Sequence, residues 1–289
     1  MIELSVSYEK LDIDNSLSAK LHALVSRLTA MGSVLVAYSG GTDSTFLLKV
    51  AFDVLNSKVL AVTTHSPIYK TKELECAREI ANSIGVSHQV IYQNELKNEK
   101  FAANPADRCY YCKKMLFTKL LLLAEQHNLA WVVDGTNYDD TTDYRPGLTA
   151  ASEFGINSPL KEAKLTKDEI RTLSKQLQLP TWNKPAEACL STRFPYGTRL
   201  YEENIAKVEK AEMFLERLGI KQKRVRVHGE LVRIEVPKDE FPVLLKESSM
   251  NKIVTAFKGL GYKYVTVDLE GYRMGSMNTF IKTNGQKKN

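Results

Sequence analysis

No apolar run in the 289-residue sequence approaches the roughly 18 residues needed to cross a bilayer, so no membrane span is expected. The opening residues, Met1-Ile2-Glu3-Leu4, lack a basic stretch followed by an apolar core. No secretory signal is therefore expected, and a cytoplasmic location is. Cysteine is scarce, with four in all. In a reducing compartment four thiols predict metal or catalytic use rather than structural disulfides. Internal repeats and low-complexity segments are absent, and basic residues do not run together. Lys and Arg number 40 against 34 Asp and Glu, a net charge of +6. That balance suits an anionic ligand such as a nucleotide without demanding nucleic acid. Hydrophobic residues make up 43% and charged residues 26%, enough for a real core at a length that predicts one medium and one small domain.

What is present alternates. Apolar positions at helical spacing (Leu17, Leu21, Leu24, Val25, Leu28) predict a helix from about Ser16 to Met31, ended by Gly32. Val34-Leu35-Val36-Ala37 is wholly apolar and predicts a buried parallel strand. A helix is expected to open at Ser44. Strands follow at Val59–Thr63, His88–Tyr92 and Ala130–Asp134, with helices over Lys70–Ile84 and Tyr111–His127 between them. This order predicts an α/β fold with a doubly wound, mostly parallel sheet, whose ligands sit at the carboxyl ends of the strands. After about Pro195 the pattern changes to a helix (Tyr201–Leu218), two β-rich runs (Arg224–His228 and Leu231–Val236), further helix and Tyr264–Val267. Residues 1–195 are expected to form a nucleotide-binding, adenylylating domain. Residues 196–289 are expected to form a smaller α+β domain for substrate binding or oligomerisation, with the boundary anywhere from about Leu179 to Tyr201.

Ser39-Gly40-Gly41-Thr42-Asp43-Ser44 lies between the first strand and a helix start. Free backbone N–H groups and the positive end of a helix dipole make such a junction an anion site. Paired glycines let backbone approach the anion, and Ser39 and Ser44 add hydroxyl donors. Asp43 would hold Mg2+ or orient the loop. The lysine of the G-x-x-x-x-G-K-[ST] loop is missing. The six residues instead resemble the loop of pyrophosphate-loop ATPases, which implies ATP cleavage between the α and β phosphates. A Gly-rich turn without ligand is the alternative. Asp134-Gly135-Thr136-Asn137 follows the fourth strand and should face the same cleft; similar segments in this superfamily lie beside the nucleotide. An ordinary Asx-capped turn is the alternative there. Beyond it, Arg145 near Asp143 either binds an anion or caps a helix.

Cys109 and Cys112 form a pair, Cys189 is a third thiol, and Cys76 reads as a small buried hydrophobe. Three cysteines suit a 4Fe–4S cluster with one open iron, which could pass a hydrosulfide to a substrate. Arg108, Lys113 and Lys114 around the pair favour thiolate, and Arg193 follows Cys189. A lone reactive Cys189, a redox dithiol, a partial zinc site and unrelated thiols are the other readings.

Four stretches together carry a closer resemblance: the Ser39–Ser44 loop, Asp134–Asn137 with Asp143-Tyr144-Arg145-Pro146-Gly147, the Cys189 loop running into Pro195-Tyr196-Gly197-Thr198, and Arg224-Val225-Arg226-Val227-His228. Across nearly the whole chain they resemble the LarE family, ATP-dependent sulfur transferases that make the nickel-pincer nucleotide cofactor of lactate racemase. The resemblance implies ATP, Mg2+ and a nucleotide substrate, pyridinium-3,5-biscarboxylate mononucleotide. Its carboxylates would be adenylylated and converted to thiocarboxylates. Some members sacrifice the sulfur of a cysteine at the Cys189 position; others hold a cluster on three cysteines, as Cys109, Cys112 and Cys189 suggest here.

Gly40 and Gly41 amides would then stabilise the pyrophosphate leaving group. Arg193, Arg224 and Arg226 would meet the anionic substrate, although a solvated strand face is the plain alternative for the last two. Glu212 falls where the family's metal-binding acid lies, or is a surface glutamate. A homo-oligomer, an upstream sulfur donor and a downstream nickel-insertion protein are the partners implied. A tRNA-thiolating enzyme and an amidating synthetase of the NAD or GMP type are rival readings. The first would need a broad basic surface, and the second would need no reactive cysteines.

Overall fold

The computed structural model describes residues 8, 11–142 and 146–273. The roles expected of Asp143 and Arg145 lie outside the described residues. In chain order the helices are α1 (Asn15–Met31), α2 (Thr42–Leu55), α3 (Thr71–Ile84), α4 (Glu99–Ala102), α5 (Arg108–Gln126), α6 (Pro146–Glu153), α7 (Pro159–Glu162), α8 (Lys167–Gln176), α9 (Glu202–Arg217), α10 (Phe241–Leu244) and α11 (Glu247–Gly259). The strands are β1 (Val34–Ala37), β2 (Val59–His65), β3 (Ser87–Tyr92), β4 (Trp131–Asp134), β5 (Arg224–His228), β6 (Leu231–Glu235) and β7 (Tyr264–Val267). Among the described residues no helix is long and apolar enough to cross a membrane.

The chain packs as two compact units. The first takes the described residues up to Gln93 together with Asp107–Glu187, and the second takes Asn94–Ala106 and the described residues from Ala188 onward. The chain crosses to the second unit after Glu187, inside the span from about Leu179 to Tyr201 over which the sequence leaves the boundary open, and residues 188–195 go with the second unit. The reason is hydrogen bonding. Gly197 N–H donates to the Asn104 carbonyl, Leu200 N–H to the Ala102 carbonyl, and the Asn104 amide to the Pro195 carbonyl. Arg199 adds a two-pronged pair with Glu99.

The first unit is the expected parallel α/β layer structure, with strand order β3-β2-β1-β4. Alternation along β1 sends Val34 and Val36 into a core with Leu21, Leu24 and Leu28 of α1, Phe46 and Leu47 of α2, and Ile170 and Leu173 of α8. Leu35 points the other way, to Phe117 and Leu120 of α5 and Ala150 and Ala151 of α6. Each fully buried large apolar side chain stabilises by about 1.5–3 kcal/mol. α2 is apolar almost all round because it is covered on most sides. Asp14 caps α1 by accepting from Leu17 N–H, and Gly32, at φ +73°, ends it.

β1 pairs with β2 on one side and β4 on the other. The chain reaches β4 only after β2 and β3, so the sheet reverses its order between β1 and β4. Ligands of open parallel sheets bind at that reversal, outside the carboxyl ends.

The second unit carries a mixed sheet in the order β5-β6-β7, antiparallel then parallel. Ile205, Val208, Ala211 and Leu215 form the buried stripe of α9.

One titrating group sits inside the first sheet. Thr63 gives its hydroxyl proton to the Tyr38 carbonyl at 2.8 Å, so its oxygen must accept from His88 Nε2–H, also at 2.8 Å. Burial, then the charge of Arg78, holds the His88 pKa below its ordinary value. The unfolded chain therefore binds this proton more readily. Stability is full above the ordinary histidine range and falls as pH drops through it. Urea midpoints measured from about pH 8 to about pH 5.5 should fall on the acid side, and His88→Gln should flatten part of that fall. Identical slopes in both proteins would refute this.

Candidate active site

The phosphate loop sits at the carboxyl end of β1, as its sequence predicts. α2 begins at Thr42, two residues before the expected start at Ser44, so Asp43 and Ser44 lie in its first turn. Gly41 is the N-cap and has no side chain to satisfy that turn, which leaves amides for an anion. Gly40 adopts φ +70°, and a Cβ there would stand 2.9 Å from Ala77 Cβ. The Ser39 and Ser44 hydroxyls lie 3.0 Å apart, and Gly41 N–H donates to Ser39 Oγ at 3.3 Å.

The loop after β4 lies against it. A Cβ on Gly135 would meet Ser44 N at 2.9 Å and Ser44 Cα at 3.0 Å. Asp134 shapes this loop by accepting from Thr136 N–H, Thr136 Oγ1 and Ser158 Oγ. Asn137 Oδ1 accepts from the Asp139 and Asp140 amides, while its Nδ2 reaches Asp43 Oδ2 at 3.3 Å. The Asx turn is present, and it lies against the phosphate loop.

Asp43 Oδ2 also accepts from Lys167 Nζ at 2.6 Å. Its other oxygen, Oδ1, is buried with no hydrogen-bond partner. A charged oxygen without a donor is what Mg2+ asks of a protein when phosphate and water supply its other ligands. The residues fit that ion.

A second lysine reaches the loop. Lys184 Nζ donates to the Gly40 carbonyl at 3.1 Å and pairs with Glu73 of α3 at 2.6 Å. Thr42 Oγ1 donates to the Thr181 carbonyl at 2.7 Å, and Lys70 pairs with Glu187 at 3.2 Å. Neither Lys167 nor Lys184 belongs to a motif, so sequence reasoning missed both.

The cysteine pair lies at the same rim. α5 starts at Arg108, three residues before the expected Tyr111, and so carries Cys109 and Cys112 on its first turns. Spacing of three places them on one helix face. Cys109 is exposed and Cys112 is buried, with the Tyr69 hydroxyl 3.8 Å from Cys112 Sγ. Tyr69 belongs to the β2–α3 connection that leads into Glu73 and Ala77, so one segment touches both the thiol and the phosphate loop. Cys76, expected in the core, is half-buried, because α3 turns only Ala77 and Ala81 fully inward. Among the described residues no group of three or more His, Cys, Asp or Glu side chains gathers to hold a metal. Two thiols on one helix turn fit part of a cluster's donor set; the third, Cys189, belongs to the second unit.

In that second unit Cys189 is half-buried and caps a short turn of 3₁₀ helix, Leu190–Arg193. Arg193 is 0% exposed and makes a two-pronged pair with Glu212 at 2.8 and 3.1 Å. Its Nη1 donates to the carbonyls of Ala188 and Cys189. Arg193 thus holds the Cys189 loop, instead of presenting its donors outward as a substrate ligand would. Glu212 is 1% exposed, which excludes the surface reading; it also accepts from Val225 N–H.

Arg224 and Arg226 are buried, which excludes the solvated strand face. Arg224 stacks over Tyr272 at 5.1 Å; Arg226 pairs with Glu235 and donates to the Thr192 carbonyl. Burial, with the charges of Arg193 and Arg224, lowers the Arg226 pKa. Three guanidiniums are therefore crowded beside the cysteine loop.

Comparison with known proteins agrees with this geometry. A sequence-family profile for the queuosine biosynthesis protein QueC matches residues 33–104. The chain is 44% identical over 265 residues to the uncharacterized protein slr1717 of Synechocystis sp., covering 92% of this chain and 99% of that one. It is 40% identical over 264 residues to the pyridinium-3,5-bisthiocarboxylic acid mononucleotide synthase of Lactiplantibacillus plantarum, covering 91% of this chain and 95% of that one. A glutamine-hydrolysing GMP synthase polypeptide from Archaeoglobus fulgidus is 24% identical over 159 residues, 52% of each chain. Similarity that is strong along both whole chains for the pyridinium synthase, and weak and partial for the amidating enzyme, means that this chain belongs to the LarE family of ATP-dependent sulfurtransferases.

Proposed function

We propose that the protein converts the two carboxylates of pyridinium-3,5-biscarboxylic acid mononucleotide to thiocarboxylates. The observation that carries this reading is the segment from Tyr69 to Ala77, which touches Cys112 at one end and the phosphate loop at the other. A carboxylate resists attack because its leaving group would be oxide. Its oxygen attacks the α-phosphorus of ATP, pyrophosphate departs, and the acyl carbon now carries AMP. Sulfur adds to that carbon, and AMP leaves with the original oxygen. Backbone amides at Gly40 and Gly41 and the hydroxyls of Ser39 and Ser44 stabilise charge on the departing pyrophosphate, and Asp43 Oδ1 offers Mg2+ a ligand. The Gly135-Thr136-Asn137 turn lines the nucleotide.

Arg224 and Arg226 are the ligands proposed for the substrate's anionic groups. A bound phosphate would relieve the crowding of guanidiniums, Arg226 exchanging its Thr192 carbonyl for it. Arg193 positions Cys189, and Glu212 holds Arg193, with a divalent ion as its second proposed ligand.

Sulfur comes through Cys189, with Cys109 and Cys112 as the other two thiols of a 4Fe–4S site. When bound, that group supplies an open iron able to carry exchangeable sulfide. In the alternative route Cys189 gives up its own sulfur and is left as dehydroalanine. The proposed partners are a sulfur donor, a nickel-insertion protein and further copies of this chain, with the cytoplasm as location.

Cys189→Ala should abolish thiocarboxylate formation while pyrophosphate release from ATP continues. Loss of neither would favour an amidating enzyme. Oxygen-free purification followed by iron, sulfide and visible-spectrum measurement tests the cluster, and the mass of Cys189 after turnover tests sacrifice. A protein without iron after reconstitution, its Cys189 unchanged after turnover, would sink both sulfur routes.

A further inference from the structure

The phosphate loop contains no lysine, yet Lys184 reaches it from 144 positions away in the chain. Its ammonium does not bond to a loop side chain. It holds one backbone oxygen, the Gly40 carbonyl at 3.1 Å. A trans peptide is planar, so its C=O and N–H point in opposite directions. Fixing the Gly40 carbonyl on Lys184 therefore sends the Gly41 N–H the other way. That amide donates to Ser39 Oγ at 3.3 Å, on the side where the Ser39 and Ser44 hydroxyls meet.

This peptide needs fixing more than most. It joins two glycines, whose φ and ψ rotate at little steric cost. A flip would carry the Gly40 oxygen to the side of the hydroxyls, where it would repel phosphate, and would withdraw the Gly41 amide. Lys184 is itself anchored. Glu73 pairs with it at 2.6 Å, and on either side of it the chain is tied down by Thr42 on the Thr181 carbonyl and by Lys70 on Glu187.

We propose that Lys184 is a positioning residue for ATP: it holds the Gly40–Gly41 peptide in the orientation that turns the Gly41 amide toward the polyphosphate, and Glu73 keeps the ammonium aimed. The role differs from that of the lysine in G-x-x-x-x-G-K-[ST] loops, which grips phosphate directly. It rests on the ATP-activation reading above. Wild-type exchange of labelled pyrophosphate into ATP, in the presence of the nucleotide substrate, tests that reading alone; the ratio of variant to wild type tests this one.

Mg-ATP affinity is measured by titration calorimetry, and KM and kcat by pyrophosphate exchange. A hydrogen bond from a charged donor predicts that Lys184→Met weakens ATP binding and raises KM roughly 10- to 100-fold. At saturating ATP kcat should stay within about 3-fold, and Lys184→Arg, which still donates to a carbonyl, should recover to within about 5-fold. Glu73→Gln leaves the lysine on Gly40 but loosens its aim, so a loss of about 3- to 10-fold is expected. Unchanged ATP affinity in Lys184→Met overturns the proposal, as does intact affinity with a collapsed kcat, which would put Lys184 on the transition state instead. If Lys184→Met does not fold, Glu73→Gln decides: unchanged affinity there overturns the proposal equally.

Discussion

Glu212→Ala is expected to destabilise the second unit by about 3–5 kcal/mol, because removing one partner of a buried ion pair strands the other. Arg193 is 0% exposed and donates two hydrogen bonds to this carboxylate. The Val225 amide loses its acceptor as well, at 3.1 Å in the native protein. Both losses fall where α9, the Cys189 loop and β5 meet. The Ala188 and Cys189 carbonyls bonded to Arg193 would lose their orientation even in molecules that stay folded. Glu212→Gln keeps an oxygen acceptor and should cost roughly half as much. Urea titration followed by circular dichroism measures both. An alanine variant unfolding at the wild-type midpoint would show that the pair is not what holds this loop.

Gly135→Ala should leave the protein folded and weaken ATP binding by about 100-fold or more, the penalty typical of a displacement near 1 Å in a positioned site. The added carbon would sit 2.9 Å from Ser44 N and 3.3 Å from the Asp43 carbonyl carbon. These are backbone atoms in the first turn of α2 and have no rotamer to escape into. Gly40→Ala should do similar damage, since it adds both a clash with Ala77 and a φ of +70°. Gly41→Ala should be milder. Its φ of −82° suits any residue, and its one close neighbour, Ser39 Oγ at 3.3 Å, can rotate. Calorimetric titration of Mg-ATP into the three variants gives the ranking. A Gly41 variant as weak as the Gly135 variant would contradict it.

That ranking separates what was legible in the sequence from what was not. The Gly40-Gly41 pair announces an anion site through composition and its place between a strand and a helix. Which glycine is indispensable depends on Ala77, which no motif marks, and on how closely the Ser44 backbone approaches Gly135, which no spacing reveals. The parallel sheet was readable because Val34–Ala37 and Val59–Val62 are short apolar runs that alternate with helical stretches, a local signal. The cysteine pair was readable as a pair but not as a helical one. Arg108 and Cys109 look like loop residues until α5 is seen to start there.

Lys167 and Lys184 carried no signal, since a lysine before Pro185 or at the start of α8 resembles any surface lysine. The arginines show the converse. Arg224 and Arg226 were visible at a spacing of two, but their depth was not, because burial of the Arg226 charge depends on Glu235 and the Thr192 carbonyl, supplied from other elements.

The short segment Asn94–Ala106 belongs to the second unit although the chain then returns to the first for Asp107–Glu187. On the ribosome Asn104 is made 91 residues before Pro195, whose carbonyl its side chain will bind. At ordinary rates of synthesis that is a wait of roughly 5–20 s, during which the Asn104 amide and the Ala102 carbonyl lack the Pro195 and Leu200 partners they have in the finished protein. A recombinant piece starting at Ala188 would inherit the same gap permanently. The second unit therefore has to be produced with this stretch reattached, or studied only within the whole polypeptide.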